Sequence, residues 1–274
     1  MLERRANPIG RAATASIPRI SLGGLRLAVL DIEQTANFMI DMVFPQRRVG
    51  RPLYLTSANG EVLARCSTEQ MTGRLFRAAD LINADGQPLV TVSRLKSRTP
   101  LPERVATTDL FHVVARKAQA AGLTFYMFGA DEEENASAVA NVRNMYPDLS
   151  IVGRCQGYLR GEALRDKVDE INALAPDYLW LALGVPYEQA FVEEFTPRLS
   201  NVGVIKTSGG LFNFLSGSRP RAPAWMQRIG LEWAWRVWQE PRRLFWRYFT
   251  TNPRALYLLF NKGLVSGSDR SPRG

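Results

Sequence analysis

Short apolar segments alternate with amphipathic segments along most of the chain. The apolar segments are almost continuously hydrophobic, which is typical of strands that are buried on both faces of a parallel sheet. Alternation of such strands with helices predicts an α/β fold, in which a Rossmann-like, mostly parallel sheet is flanked by helices. The predicted strands are residues 52–57, 80–84, 123–129, 149–153, 177–184 and 201–207, and the predicted helices are residues 61–79, 88–96, 107–122, 131–146, 161–175 and 187–195. We expect helix 107–122 to begin on a Thr cap and to stop at a glycine.

The pattern changes after Gly217, where strand–helix alternation gives way to an Arg- and Trp-rich helical segment. Two interpretations of this segment stay open. Its tryptophans could pack onto the domain as additional core, or they could face a membrane or a partner, because Trp and Arg together are typical of lipid headgroup regions. The predicted organisation is a disordered basic arm (1–19), an α/β domain (20–217), the C-terminal appendage (218–263) and a disordered tail (264–274). The appendage holds five of the six tryptophans: Trp225, Trp233, Trp235, Trp238 and Trp246.

The net charge of +9 is concentrated at the two ends of the chain. Residues 219–254 hold eight arginines against Glu232 and Glu240, whereas the α/β domain is nearly neutral. A nucleic-acid-binding domain would more often spread its positive charge over the folded surface. The distribution therefore favours an anionic membrane surface or phosphate-bearing substrates, with no nucleic acid among the partners.

The sequence also bears on the compartment. No apolar run is long enough to cross a bilayer, and the N-terminal segment lacks the apolar stretch of a secretory signal. Cys66 and Cys155 are far apart and match no metal or redox spacing. We therefore expect a cytoplasmic protein that attaches peripherally to the inner face of the cytoplasmic membrane, and homo-oligomerisation stays open.

Polar residues cluster where the predicted strands end. In an open parallel sheet, ligands bind at the carboxyl edge, so side chains that follow different strands can meet there. The alternative is that each residue is a turn residue or a helix cap, and position alone favours this alternative. Asp85 illustrates the choice, because Asp-Gly is ordinary turn chemistry, yet a carboxylate at this edge could also act as a base. The candidates are Thr56, Ser57, Asn59, Asp85, Gly129, Gly184, Glu188 and Gln189.

Several common chemistries lack their sequence signals. The chain has no P-loop, no G-x-G-x-x-G after a strand and no D-x-D for a metal-diphosphate complex. His112 is the only histidine and lies inside a predicted helix, which makes Ser-His-Asp or His-metal mechanisms improbable. The Lys and Arg side chains between residues 94 and 104 are predicted to be solvated. We expect no cofactor and no metal.

The most specific motif is the C-terminal "GLFNFLSGSRPRAPAWMQRIGLEWAWRVWQEPRRLFWRYF". Further motifs are T-x-x-N at Thr56–Asn59, A-D-G at Ala84–Gly86 and "TTDLF" at 107–111. In this order they resemble the WecG/TagA/CpsF family of bacterial glycosyltransferases, from about residue 20 to about residue 255.

This resemblance implies an inverting glycosyltransferase. Such an enzyme would move a hexose or N-acetylhexosamine from a UDP-sugar to a polyprenyl-diphosphate-linked sugar, in exopolysaccharide or other cell-surface polysaccharide biosynthesis. It implies that Asp85 is the general base and that arginines of the appendage receive the leaving diphosphate. The substrate-binding residues added by the resemblance are Gly86, Thr108, Asp109, Arg221, Arg236, Arg243 and Arg247.

One departure from the family pattern concerns "GVPYEQ" at 184–189, where the family usually has G-x-P-x-Q-E. Glu188 stands at the position of the family glutamine. The exchange could mark a different donor sugar. It is also the only sign of an alternative function, a catalytically impaired, membrane-docked scaffold of the same fold.

Overall fold

The computed structural model describes residues 14–261. Residues 1–13 of the predicted arm and residues from 262 onward, which include the predicted tail, lie outside this described part. Some side chains within helices also lie outside it: Arg47, Arg48, Val49, Ala224, Arg228, Arg243, Arg247 and Tyr248.

Eight strands form two sheets in the described part. They are β1 (Arg19–Leu22), β2 (Leu25–Ala28), β3 (Leu53–Ala58), β4 (Leu81–Ala84), β5 (Thr124–Gly129), β6 (Ser150–Cys155), β7 (Tyr178–Ala182) and β8 (Val204–Thr207). Strands β1 and β2 form an antiparallel hairpin, and the other six form one sheet in the order β4–β3–β8–β7–β5–β6. All neighbours in this sheet are parallel, so their carboxyl ends lie along one edge.

Helices cover both faces of the large sheet. They are α1 (Ile32–Val49), α2 (Gly60–Thr68), α3 (Gln70–Arg77), α4 (Gln87–Lys96), α5 (Thr107–Ala120), α6 (Glu132–Met145), α7 (Gly161–Leu174), α8 (Tyr187–Phe195), α9 (Leu211–Leu215), α10 (Ala224–Arg228), α11 (Glu232–Gln239) and α12 (Pro241–Asn261). A single 3₁₀ turn at Thr196–Arg198 follows α8.

Alternate residues of each strand enter two different cores. Leu55 and Trp180 pack with α1 and α5, where the rings of Phe111 and Trp180 lie 4.8 Å apart. Their neighbours Tyr54 and Leu179 point to the opposite face and pack with α7 and α8. Because successive strand side chains alternate between faces, both faces of these strands are apolar, which explains their near-continuous hydrophobic pattern.

The predicted α/β class, the parallel sheet and the helical C-terminal segment are confirmed. The predicted helix 61–79 is two helices, α2 and α3, because Glu69 between them is extended, with φ −107° and ψ 98°. The predicted Thr cap of α5 is wrong: Ala106 occupies the cap position, and Thr107 is the first helical residue.

The N-terminal region contains structure that we did not predict from the sequence. The hairpin β1–β2 and helix α1 fill residues 19–49. Arg19, the last residue of the predicted arm, opens β1 and donates a hydrogen bond from its guanidinium to the backbone carbonyl of Asp80 at 2.8 Å. This bond fastens the hairpin beside the start of β4.

The C-terminal appendage is partly buried core and partly exposed aromatic surface. Leu258 and Leu259 of α12 are buried in a core shared with the hairpin and α4, so part of this helix is core structure. In contrast, Trp238 and Trp246 are 74% and 67% exposed. The leucines supply the packing, and the tryptophans lie mainly on the outside. Among residues 14–261, no helix is both long and apolar enough to cross a membrane.

Candidate functional site

A cleft of about 580 Å³ lies at the carboxyl ends of β4, β3 and β8. Its floor is formed by residues that follow these strands, and its far wall is formed by α11, α12 and the loop before them. Seven of the sequence-predicted site residues line it: Ser57, Asn59, Asp85, Gly86, Thr108, Glu188 and Arg236. The structure therefore brings together residues from five separate segments of the chain.

Asp85 presents its carboxylate to this cleft rather than to its own turn. Its backbone N–H donates to the carbonyl of Ala58 at 2.8 Å, which ties the turn after β4 to the end of β3. Its Oδ2 accepts hydrogen bonds from the N–H and the hydroxyl of Thr107, both at 3.2 Å. Burial raises the pKa of the Asp85 carboxyl, and the charge of Arg104 together with the Thr107 N–H limits that rise. A carboxylate in this environment is a stronger base than an ordinary aspartate.

Arg104 was missed in the sequence, where it was grouped with solvated cations. Its side chain is only 14% exposed, and its Nε lies 3.6 Å from Asp85 Oδ1. Its Nη2 also pairs with Glu232 of α11 at 2.8 Å. This arginine therefore links the predicted base to the C-terminal wall of the cleft. The signal was not local, because neither partner is near it in sequence.

Lys206 was also missed, although a lysine within the apolar strand β8 is itself an unusual signal. Its side chain is fully buried behind the cleft floor, where Nζ donates to Ser57 Oγ and to the carbonyl of Thr207, each at 2.9 Å. Burial lowers the pKa of Lys206 to about 8, although the nearby Asp85 and Glu188 favour its charged form. The site thus holds a buried cation between two carboxylates.

Glu188, the residue that departs from the family pattern, is 3% exposed on the cleft floor. Its Oε2 accepts a hydrogen bond from the backbone N–H of Gly209 at 2.9 Å. Burial raises the pKa of Glu188, whereas the Gly209 N–H and Lys206 lower it. Behind it, Gln189 Nε2 lies 3.2 Å from Glu188 Oε1 and 3.4 Å from Thr56 Oγ1, so Gln189 and Thr56 support the floor rather than line it.

The chain matches one family over nearly its whole length. The sequence model of the Glycosyl transferase WecG/TagA/CpsF family covers residues 20–268. The chain belongs to this family. As a member of the WecG/TagA/CpsF family it is a glycosyltransferase, and the fold and cleft described above are those of the enzyme.

Two curated relatives carry the same name, N-acetylglucosaminyldiphosphoundecaprenol N-acetyl-beta-D-mannosaminyltransferase. The relative from Bacillus spizizenii is 30% identical over 204 residues, which is 73% of this chain and 76% of that protein. The relative from Bacillus subtilis strain 168 is 27% identical over 203 residues, again 73% of this chain and 76% of that protein. Each similarity covers nearly three quarters of this glycosyltransferase.

Other predicted site residues of this glycosyltransferase lie away from the cleft lining. Gly129 ends β5 with φ +143°, and a Cβ there would approach the Ala182 carbonyl oxygen to 2.3 Å, so this glycine is required by strand packing. Gly184 has φ +77° and precedes α8. Asp109 forms an ion pair with Arg221, which also donates to Gln227 Oε1 at 2.9 Å.

The predicted arginines of the appendage have different surroundings. The guanidinium of Arg236 lies 5.1 Å above the ring of Phe214 and 3.8 Å from Glu232, on the wall of the cleft. Arg221 is held by Asp109 as described above. The side chains of Arg243 and Arg247, on α12, lie outside the described residues.

Two predicted residues serve as local structure and also face the cleft. Asn59 caps α2, because its Oδ1 accepts a hydrogen bond from the N–H of Val62 at 3.0 Å. Gly86 precedes α4, and a Cβ added there would lie 3.4 Å from Cα and Cβ of Asn59. Within residues 14–261, no cluster of three or more His, Cys, Asp or Glu side chains has the arrangement of a metal site. The groups that this cleft offers to a substrate are therefore carboxylates and cationic side chains.

Proposed function

We propose that this glycosyltransferase moves a hexose or N-acetylhexosamine, with inversion, from a UDP-sugar to a polyprenyl-diphosphate-linked sugar. The proposed setting is exopolysaccharide or other cell-surface polysaccharide assembly at the inner face of the cytoplasmic membrane. The observation that carries the proposal is the Asp85 carboxylate, exposed to the cleft and held by Thr107, with cationic side chains on either side.

Asp85 is the proposed general base. A sugar hydroxyl is a poor nucleophile, so a base within hydrogen-bond reach must take its proton while the oxygen attacks C1 of the donor sugar. The raised pKa of the Asp85 carboxyl supports this role, because a stronger base removes the proton more readily. One displacement at C1 inverts the configuration.

The departing UDP gains negative charge on its terminal phosphate, and positive side chains can stabilise that charge. Among the predicted arginines whose side chains the structure describes, Arg236 lies on the cleft wall, and Arg104 is a second cation beside Asp85. We assign the contact with the leaving diphosphate to Arg236, together with Arg243 and Arg247 of α12. Arg221 is assigned the indirect task of holding the loop before α10 against Asp109 of α5.

The acceptor proposal draws on the relatives and on the far wall of the cleft. Both relatives are named as enzymes that act on a sugar linked through diphosphate to undecaprenol. In this chain the far wall includes the apolar side chains of Trp233, Leu256 and Leu259. A polyprenyl diphosphate that enters beside this wall would leave its lipid near the exposed aromatic face of the appendage, against an anionic membrane.

The reaction is tested with a panel of UDP-sugars and a short-chain polyprenyl-diphosphate-N-acetylglucosamine acceptor, with products identified by mass spectrometry. We expect one hexose or N-acetylhexosamine to be added to the acceptor and UDP to be released. Failure with every donor, while both substrates still bind, would favour the impaired scaffold instead. Glu188→Gln restores the usual family residue, and a changed donor preference in this variant would make Glu188 a donor-selecting residue.

Membrane attachment is tested by co-sedimentation with anionic liposomes. Replacing Trp238 and Trp246 with Ala should weaken sedimentation, because both rings are exposed on the proposed membrane face. Tyr158→Ala is the matched control, since Tyr158 is 68% exposed and follows β6, at the edge of the sheet opposite β4. Equal sedimentation of wild type, the tryptophan double variant and Tyr158→Ala would show that these tryptophans do not attach the protein to the membrane.

A further inference from the structure

The buried Lys206 is connected to the proposed base by two hydroxyl groups. Its Nζ donates to Ser57 Oγ at 2.9 Å. The hydroxyl of Thr107 lies 3.2 Å from Ser57 Oγ and 3.2 Å from Asp85 Oδ2. A continuous chain of hydrogen bonds therefore runs from Lys206 through Ser57 and Thr107 to Asp85.

The ammonium of Lys206 gives this chain a direction. An ammonium group only donates, whereas a hydroxyl donates one proton and also accepts. Because Ser57 Oγ accepts from Lys206, its own proton is free to point to Thr107, and the Thr107 proton then points to Asp85. Oδ2 of Asp85 thus receives both the hydroxyl and the N–H of Thr107. Oδ1 lies 3.6 Å from Nε of Arg104, which is beyond ordinary hydrogen-bond distance.

We propose that Lys206 is a positioning residue for sugar transfer: its ammonium orients the Ser57 and Thr107 hydroxyls so that Oδ2 of Asp85 is held and Oδ1 receives the proton. This inference rests on the proposed role of Asp85. In the step, the O–H bond of the acceptor hydroxyl breaks and its proton binds Oδ1. The oxygen bonds to C1 of the donor sugar, and the bond from C1 to the phosphate oxygen breaks, leaving its electron pair on UDP.

The same geometry makes the directions of these hydrogen bonds sensitive to the charge of Lys206. A neutral amine can accept a hydrogen bond, so loss of the Lys206 proton would turn the Ser57 hydroxyl toward Nζ and the Thr107 hydroxyl toward Ser57. Asp85 Oδ2 would then lose one donor. Asp85 and Glu188 face Lys206, while Arg104 and Glu232 surround Asp85, and together these charges set where the change occurs. The lowered pKa of Lys206, about 8, puts the change at mildly alkaline pH.

The first test compares wild type with Lys206→Met, which keeps an unbranched side chain of similar size but removes its charge. We expect kcat to fall roughly 10- to 100-fold with KM nearly unchanged, since misorientation of a catalytic group costs rates of this order. In wild type, kcat should decline at alkaline pH as Lys206 loses its proton, and this decline should be absent from Lys206→Met. The acidic limb of the pH profile should move to higher pH, because a cation that lowers the pKa of Asp85 is gone.

A second pair of variants tests the chain of hydrogen bonds without changing the charge of Lys206. Thr107→Val removes the connecting hydroxyl and should lower kcat, whereas Thr107→Ser keeps the hydroxyl and should retain most of the rate. Ser93→Ala is the control, because it removes another fully buried hydroxyl outside the cleft and should leave kcat and the pH profile unchanged. Equal rates in Thr107→Val and Thr107→Ser would overturn the proposal even if Lys206→Met did not fold.

A measurement that does not depend on sugar transfer can test the role of Lys206 separately from the proposed function. The titration of the Asp85 carboxyl is followed by ¹³C NMR, with its signal assigned from Asp85→Asn. Its pKa should be higher in Lys206→Met than in wild type. An unchanged titration would overturn the role of Lys206 whether or not transfer is detected. A raised pKa together with normal wild-type binding but no transfer would instead count against the proposed function.

Discussion

The two halves of the parallel sheet end very differently along the same edge. At β4, β3 and β8, the strand ends open into the cleft, and the carboxylate of Asp85 faces it. At β5 and β6, the edge is closed: Asn135 of α6 donates through Nδ2 to the carbonyls of Gly129 at 2.8 Å and Cys155 at 3.0 Å. Asp131 there accepts from the N–H of Glu134 at 2.8 Å and caps α6.

The contrast shows that the end of a strand is not sufficient to make a site. Asp85 and Asp131 both follow buried strands, yet Asp131 satisfies the first turn of its own helix, whereas Asp85 binds a residue from a different segment, Thr107. The open half is also the half that α11 and α12 cover, so the C-terminal helices form the wall that makes the edge a cleft. We expect side chains at the open half to contribute to catalysis, and side chains at the closed half to contribute only to folding stability.

The largest expected difference is between Asp85→Asn and Asp131→Asn. Loss of the base should lower kcat about 10²- to 10⁴-fold, the usual contribution of general-base catalysis. Asn caps helices about as well as Asp, so Asp131→Asn should change the free energy of unfolding by less than about 0.5 kcal/mol and leave kcat unchanged. Steady-state rates and thermal unfolding of both variants check this. A near-normal rate in Asp85→Asn would reduce Asp85 to a turn residue.

The second pair is Gly129→Ala and Gly86→Ala. Gly129 has φ +143° and no room for a Cβ beside Ala182, so Gly129→Ala should cost roughly 2–5 kcal/mol of folding stability, with normal activity in the folded fraction. Gly86 has φ −161°, and its Cβ would lie 3.3 Å from a Leu89 methyl group, so Gly86→Ala should affect substrate binding more than stability. The opposite pattern, with Gly129 affecting KM and Gly86 affecting folding, would refute the assignment of roles.

A smaller effect should appear in the pH dependence of stability. The pKa of Lys206 is lowered by burial to about 8 from 10.5, so between these values the unfolded chain binds more protons than the folded one. The free energy of unfolding should therefore rise with pH across this interval, by on the order of 3 kcal/mol at most. Denaturant titrations of wild type and Lys206→Met give this difference directly. If the free energy of unfolding changed equally with pH in the two proteins, burial would not be lowering the pKa of Lys206.

The smallest expected effect is that of a chelator. The cleft presents single carboxylates that are paired with cations, the chain has no D-x-D, and residues 14–261 show no cluster of metal-ligand side chains. Transfer should thus persist in excess EDTA, with cations of the protein stabilising the leaving UDP. Complete loss of activity in EDTA that Mg²⁺ or Mn²⁺ restores would require a metal in the mechanism.

The sequence predicted the sheet, and the position of Asp85 at its carboxyl edge, because both signals are local. Apolar strand segments and an Asp-Gly pair after a strand can be recognised within a few residues. Arg104 could not be identified in this way, since its partners are Asp85 and Glu232, and a pairing at that separation is decided by tertiary packing. The split of helix 61–79 at Glu69 was likewise invisible, because no Gly or Pro marks the break.

Two features could have been read from the sequence but were not. The Gly-Gly pair at 23–24 between two apolar runs is a hairpin signal, and it joins β1 to β2. Lys206 interrupts an otherwise apolar strand, and a lysine in such a position needs buried partners. Its actual partners, Ser57 and the Thr207 carbonyl, depend on the neighbouring strand and were beyond prediction.

The central claim, that Asp85 is the base of this cleft, is tested most directly by the pH dependence of kcat/KM. The active form is the carboxylate, and burial raises the pKa of Asp85. The rate of the wild-type enzyme should therefore fall on the acidic side with a midpoint above the value of about 3.9 that is usual for aspartate. The residual rate of Asp85→Asn should lack this acidic limb. An unchanged acidic limb in Asp85→Asn would show that another group takes the proton.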